Sequence, residues 1–205
     1  MHAKTRKSEL TRTAIIDAGI DIAVRHGLGA VTVPSLAEKL QLSNSGVFSR
    51  IGSIEALRIA LVEEYGKRFL AEIFFPALKA PHGLDRLNAV VESWIQKICT
   101  GTGNNMALIE VSALSMDQSA QDMREILVGN VRAWRGVMRR TVMQAIEHGQ
   151  LREDVDPAAL LFEIHCLVLG AVYEYRIMND AGTADRAIAA YRALIQRVGK
   201  AGAQG

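Results

Sequence analysis

Long stretches of this chain carry apolar residues at every third or fourth position, and stretches alternating apolar with polar are nearly absent. That spacing lines one side of a helix with apolar groups, which must then pack against another helix. Only four prolines and 5% aromatic residues occur among 205, so little argues for strands. The chain is expected to be all-α, with about nine helices.

End signals locate those helices. The first is expected over about residues 8–25, with Leu10, Ala14, Ile15, Ala18, Ile22 and Ala23 on its apolar face and Gly27 and Gly29 closing it. Thr32 reads as an N-cap, and Pro34 lies in the first turn, where its missing N–H costs little; a short helix follows to Leu40. Beyond Gln41-Leu42, Ser43 can cap a second short helix over about 44–50. Gly52-Ser53 ends it, and Ser53 can cap a long helix over 54–74. After a loop marked by Pro76, Pro81 and Gly83, helices are expected over 84–100, 105–116 and 119–148, the last closed by Gly149. Asp156-Pro157 opens a helix to 179, and a final one spans 184–198.

Two short helices joined by a tight turn, behind a longer helix, make a helix-turn-helix pattern. Val33, Leu36, Ala37, Leu40, Leu42 and Val47 are placed to hold the pair against the first helix. Asn44, Ser45, Gly46 and Ser49 are small, and three of them can hydrogen-bond, which suits a DNA major groove about 12 Å wide. Arg50 and a basic arm (Lys4, Arg6, Lys7, Arg12) are placed to reach phosphates, Ser43 is a further DNA-binding candidate, and Thr32 sits at a helix N-terminus, a natural anion site. Phe48, at the inner end of its helix, is expected to pack as an anchor. Residues 1–58 hold eight Lys/Arg and five Asp/Glu; the remainder holds sixteen and seventeen. A positive end on a near-neutral body suits phosphate binding, although a solvated basic tail carries the same signature.

The stretch RTAIIDAGIDIAVRHGLGAVTVPSLAEKLQLSNSGVFSRIGSIEAL, residues 12–57, resembles the N-terminal domain of tetracycline-repressor (TetR) type regulators. HGQLREDVDPAALLFEIHCLVLG is similar, more loosely, to a turn and late helix of many members. The resemblance implies a helix-turn-helix head over residues 1–54 and an effector-binding and dimerisation body over 55–205. It also implies double-stranded operator DNA as a partner, and a two-fold homodimer built from the last two long helices. Four positions depart from the family pattern: Phe48 stands for Tyr, Arg50-Ile51 for His-Phe, Ile54 for a phosphate-binding Lys, and Ser45 for Gly. Two phosphate partners are thereby lost, and Arg50 can replace one.

In the body, residues 158–178 are apolar almost all round and must be covered on both sides. Leu161, Val168 and Val172, with Tyr191 and Leu194 of the final helix, are assigned to an interface with a second copy. Trp94, Met106, Met116, Trp134, Met138, Phe162 and His165 are candidates for a pocket taking a small, mostly apolar effector; each also reads as ordinary core.

Several function classes are excluded or weakened. There is no nucleophile elbow, P-loop or HExxH, and the G-x-G of residues 101–103 follows no strand, so neither enzyme nor cofactor is expected. Cys99 and Cys166 lack metal-ligand spacing and a disulfide framework, which suits a reducing cytoplasm. No secretory signal and no uninterrupted apolar run of about 18 residues is seen, so a cytoplasmic protein with no membrane partner is expected. The leading reading is a repressor released by its effector; the alternatives are an interaction adaptor with a vestigial head, or a small helical enzyme.

Overall fold

The computed structural model describes residues 2–100 and 121–200, with side chains from residue 12 in the first stretch and from residue 123 in the second. The helix expected over 105–116, with Met106 and Met116, lies outside the described residues, as do the side chains of Lys4, Arg6 and Lys7. Eight helices run through the remainder: α1 (His2–His26), α2 (Val33–Leu40), α3 (Asn44–Ile51), α4 (Ile54–Phe69), α5 (Leu84–Cys99), α6 (Gln121–Glu147), α7 (Pro157–Tyr173) and α8 (Thr183–Val198). Among the described residues there is no strand, only an isolated bridge between Leu151 and Gly199. The all-α expectation holds, and the helix ends fall close to the caps and glycines that marked them. The chain divides into two compact units, residues 1–68 with 108–129 and residues 69–107 with 130–205.

In the first unit α1, α2 and α3 pack on one another around Ile15, Ala18, Ala23, Leu28, Val31, Leu36, Ala37 and Val47, all buried. Thr32 and Ser35 form a capping box at the start of α2: each side chain takes the other's backbone N–H. Such a cap is worth about 1 kcal/mol to a helix of only two turns. Gln41 ends α2 in the left-handed conformation, and Ser43 Oγ accepts the Gly46 N–H to start α3. Asp21 of α1 ties to Lys39 of α2 and to Arg25, and these two cations hold its carboxyl below the usual carboxylate range. Arg58 of α4 donates to the Val31 carbonyl at 3.1 Å. Gly19 lets α4 approach α1 closely: a Cβ there would lie 2.8 Å from a methyl of the fully buried Leu61.

In the second unit α7 packs on both α5 and α8, and α8 packs on α5. Tyr191 donates to Asn88 Oδ1 at 2.8 Å, and Arg192 grips Glu92 with two bonds of 2.8 and 3.1 Å. Burial raises the Tyr191 phenol well above its ordinary value, so it remains a donor. A π-helical turn over Leu70–Phe74 continues α4, and another over Glu174–Met178 continues α7. Pro157–Met178 is long and apolar enough to cross a membrane by length and composition, with a mean hydropathy of 1.4. One side of it, however, is occupied: Leu160, Ile164, Val168, Ala171 and Val172 are buried in this unit.

Gly83, at the start of α5, is buried with φ +91°, a conformation that side chains rarely adopt. A Cβ there would fall 2.3 Å from Gln150 Oε1, the atom that accepts the Leu84 N–H at 2.8 Å. Gly83→Ala is expected to lower the unfolding free energy by about 2–3 kcal/mol through backbone strain and the lost cap. Denaturant unfolding followed by circular dichroism checks this, and an unchanged midpoint refutes it.

Candidate functional site

The α3 helix is anchored by Val47, which is fully buried, with Ile51 half-buried one turn on. Around that line Asn44, Ser45, Phe48, Ser49 and Arg50 are all exposed, and Gly46 is half-buried. Spacings of three and four bring Asn44, Ser45, Phe48 and Ser49 onto one face. Part of the polar inventory is engaged internally. Ser43 caps the helix and lies 3.1 Å from Ser45 Oγ, and Ser49 Oγ donates to the Gly46 carbonyl at 3.1 Å. Arg50 also lies back on that carbonyl through Nη1. Arg12 on α1 is exposed.

Two expectations change here. Thr32 does not present a free hydroxyl: Oγ1 accepts from Ser35 N and donates to Ser35 Oγ. With Pro34 lacking an N–H and Ser35 N already bonded, α2 offers an anion little beyond the Val33 N–H. Phe48 is not an anchor under the head, since 57% of it is exposed. Val47 and Ile51 fill the contact with α1 and α2, and Phe48 lies one residue round the helix from that line. Lys39 is held by Asp21 and so ties helices together.

In the second unit Phe69, Trp94 and Trp134 form a mutually edge-on triangle with ring centroids 4.8–5.8 Å apart; Phe74 meets Trp134 at 5.9 Å. His165 joins beside Trp94 at 6.3 Å, and Met138 is buried one turn beyond Trp134. Four of the proposed pocket residues with described side chains (Trp94, Trp134, Met138, His165) are thus buried or half-buried, and three of them share this ring cluster. Phe69 and Phe74 belong to it too, and were missed because nothing in the 54–74 helix singled out its far end. Trp94 is 2% exposed, and its Nε1–H has no hydrogen-bond partner among the described residues.

Phe162 does not join them. It is 66% exposed and lines a groove of about 820 Å³ along α7 and α8, together with Cys166, Gly170, Ala190, Leu194 and Arg197. Of the five residues assigned to a partner-facing surface, Val168, Val172 and Tyr191 instead face the interior, with 0%, 7% and 0% exposure. Leu161 is half-buried, and Leu194, although 5% exposed, borders the groove. The outward apolar line of α7 is Phe162, Cys166, Gly170, Tyr173 and Ile177, about a third of a turn away. Apolar residues on all sides of α7 left its inward side undetermined in the sequence.

The family model described as Tetracyclin repressor-like, C-terminal domain, matches residues 83–191, more than half of the chain. The chain belongs to the TetR family. Among solved structures, a TetR transcriptional regulator from Chloroflexus aurantiacus J-10-FL is similar with TM-score 0.79 at 20% identity, covering 95% of this chain and 98% of that one. A TetR-family transcriptional regulator from Agrobacterium tumefaciens gives 0.79 at 18%, covering 94% and 99%. AibR, solved in complex with isovaleryl coenzyme A and operator DNA, gives 0.73 at 15%, covering 91% and 97%. No curated protein sequence matches this chain. The members of the family are transcriptional regulators and not enzymes.

In this TetR-family chain His165 is the one core-lining histidine among the described residues, and its environment favours the neutral ring. Burial, then the charge of Arg135, lowers its pKa below the ordinary 6.5. The unfolded chain therefore takes up this proton at a higher pH than the folded one, and stability falls as pH drops through about 6.5. Arg135→Ala is expected to move the His165 titration up towards 6.5 in an NMR pH series. A wild-type midpoint at or above 6.5 would contradict the assignment.

Proposed function

We propose that this protein is a homodimeric, DNA-binding transcriptional repressor, released from its operator when a small, mostly apolar effector enters the body. The head is residues 1–54 and the body 55–205, and the protein works in the cytoplasm, where the chromosome is. The observation that carries the reading is the outward face of α3: an eight-residue capped helix, held by Val47, that presents Asn44, Ser45 and Ser49 with no bulky charged group among them. Such a face fits a major groove, its small polar side chains reaching donors and acceptors on base edges. Arg50 of α3 and the exposed Arg12 of α1 carry positive charge on the same head, and the chain adds Lys4, Arg6 and Lys7; these supply the phosphate contacts that set affinity without reading sequence. AibR, of similar fold, was solved with both an acyl coenzyme A and operator DNA, which supports a ligand-responsive DNA binder.

Dimerisation is supported by the apolar line of α7. A second copy laid across it, with α8 on either side, makes a four-helix contact that removes Phe162 and Ile177 from water. The effector reading is supported by the ring cluster. Rings in edge-on contact leave no free slot, so a ligand must part them, and the unpaired Trp94 Nε1–H is a donor waiting for an acceptor. Phe69 belongs to that cluster and is the last residue of α4, so displacing the ring loads the end of that helix. An effector that prefers the displaced arrangement shifts the population away from the DNA-competent one.

Binding of the full-length protein to duplexes selected from random-sequence DNA tests the reading. Affinity is expected to fall linearly on log–log axes with rising salt. Arg50→Ala, and separately removal of residues 1–7, should each weaken binding about tenfold and flatten the salt slope by roughly one charge per lost contact. Binding that ignores both changes would point instead to an adaptor with an idle head. Phe162→Asp places a charge on the outward line of α7 and is expected to convert a dimer into a monomer in sedimentation, with helicity unchanged. A monomeric wild type, or a variant dimer of undiminished affinity, would remove the dimer from the proposal.

A further inference from the structure

We propose that Phe48 determines operator specificity by reading the 5-methyl group of one thymine in each half-site. The inference rests on the DNA-binding reading above and adds a base and an atom to it. Single exposed apolar residues are common on protein surfaces, so exposure alone says little. What distinguishes Phe48 is its place: it follows Asn44 by four residues and Ser45 by three, on the one face of α3 that the head leaves open. It is the only large side chain on that face, and 57% of it lies in water although Val47, its neighbour, is fully buried.

The chemistry of the groove then narrows what Phe48 can do there. Base edges in the major groove offer acceptors, donors and a single apolar group, the thymine methyl. A phenyl ring can neither donate nor accept, and it cannot bind a phosphate. Residues in the N-terminal part of a recognition helix are those that meet base edges; on α3 these are Asn44 and Ser45, and Phe48 lies one turn behind them on the same face. An aromatic ring placed in the groove between small polar neighbours finds in that protruding methyl the apolar partner that depends on base sequence. Asn44, Ser45 and Ser49 are left to read the adjoining base pairs through hydrogen bonds, and the ring excludes water beside them.

The test uses the full-length protein and a duplex recovered by binding selection from random-sequence DNA. Each thymine is replaced in turn by deoxyuridine, which removes the methyl and nothing else. One position per half-site is expected to weaken binding by about four-fold when replaced, and by about fifteen-fold when both half-sites are changed. Phe48→Ala, measured at salt lowered until it binds, should hold thymine and uridine duplexes equally; Phe48→Tyr, which keeps the ring, should still discriminate. If no replacement matters to the wild type, or if the loss persists undiminished in Phe48→Ala, the proposal is overturned while the DNA reading stands. A protein that retains no duplex even at low salt overturns the DNA reading, and this inference with it.

Discussion

A helix can insert into a groove only if its opposite side is held firmly, and in this head that holding falls on one residue. Val47 is the only fully buried side chain of α3, and it lodges where α1 and α2 meet. Short helices gain little from their own hydrogen bonds, because nucleation is costly and two turns scarcely repay it. The caps make up part of the difference. Ser43 closes the start of α3 and the Thr32–Ser35 box closes the start of α2, so that Val47 meets a fixed surface. Once Val47 is seated, the directions of Asn44, Ser45, Phe48 and Ser49 follow from the helical repeat. The polar face is thus a consequence of one apolar contact.

That consequence was half legible in the sequence. Caps, proline in the first turn and closing glycines are local signals, and they located α2, α3, α8 and the start of α7 to within a residue or so, while α7 gives way to a π-helical turn at Glu174. The inward apolar set of the head was legible as well, since Leu36, Ala37 and Val47 share a surface in any helical reading. Direction was harder wherever composition did not break the symmetry of a helix. Phe48 follows Val47 immediately, and its hydrophobicity argues for burial as strongly as that of Val47. Only the packing of α1 and α2 decides that the smaller residue goes in. In α7 the difficulty is larger: with mean hydropathy 1.4 over the apolar stretch, Val168 and Phe162 are equally plausible on either side. The structure resolves it by packing: Leu160, Ile164, Val168 and Ala171 go inward, where α7 meets α5 and α8, and Phe162, Tyr173 and Ile177 stay out.

The ring cluster has a different logic. Edge-on aromatic contacts contribute about 0.5–1.5 kcal/mol beyond area burial, and their angular preference makes them stiffer than an aliphatic core. Trp94 Nε1–H has no partner among the described residues, and a buried donor left without one forfeits about 1–3 kcal/mol. That cost is recovered by any ligand that brings an acceptor to the indole. Neutral His165 next to it adds a group that can donate or accept without introducing charge. On the proposed reading, the recovered energy would favour occupancy and oppose the resting arrangement of the rings, as a switch requires. Phe69 sits at the end of α4, immediately before a π-helical turn, where the regular hydrogen-bond ladder is already interrupted and a shift meets less resistance.

The losses at the DNA face are best understood together with Arg50. With Phe in place of a hydroxyl-bearing Tyr, and Ile54 in place of a Lys, the head lacks two contacts that would fix its register on the phosphates. Arg50 is not idle in the free protein; its guanidinium lies on the Gly46 carbonyl of its own helix. Exchanging that neutral oxygen for a phosphate oxygen gains a charge-assisted bond, roughly twice as strong, without first ordering a free chain. The side chain is already held beside α3, so the entropy of fixing it is partly spent before DNA arrives. The head therefore trades contacts spread along the backbone for one pre-placed cation and one apolar ring. On the proposed reading, affinity leans on the basic residues Lys4, Arg6 and Lys7 for long-range attraction, and discrimination leans on α3.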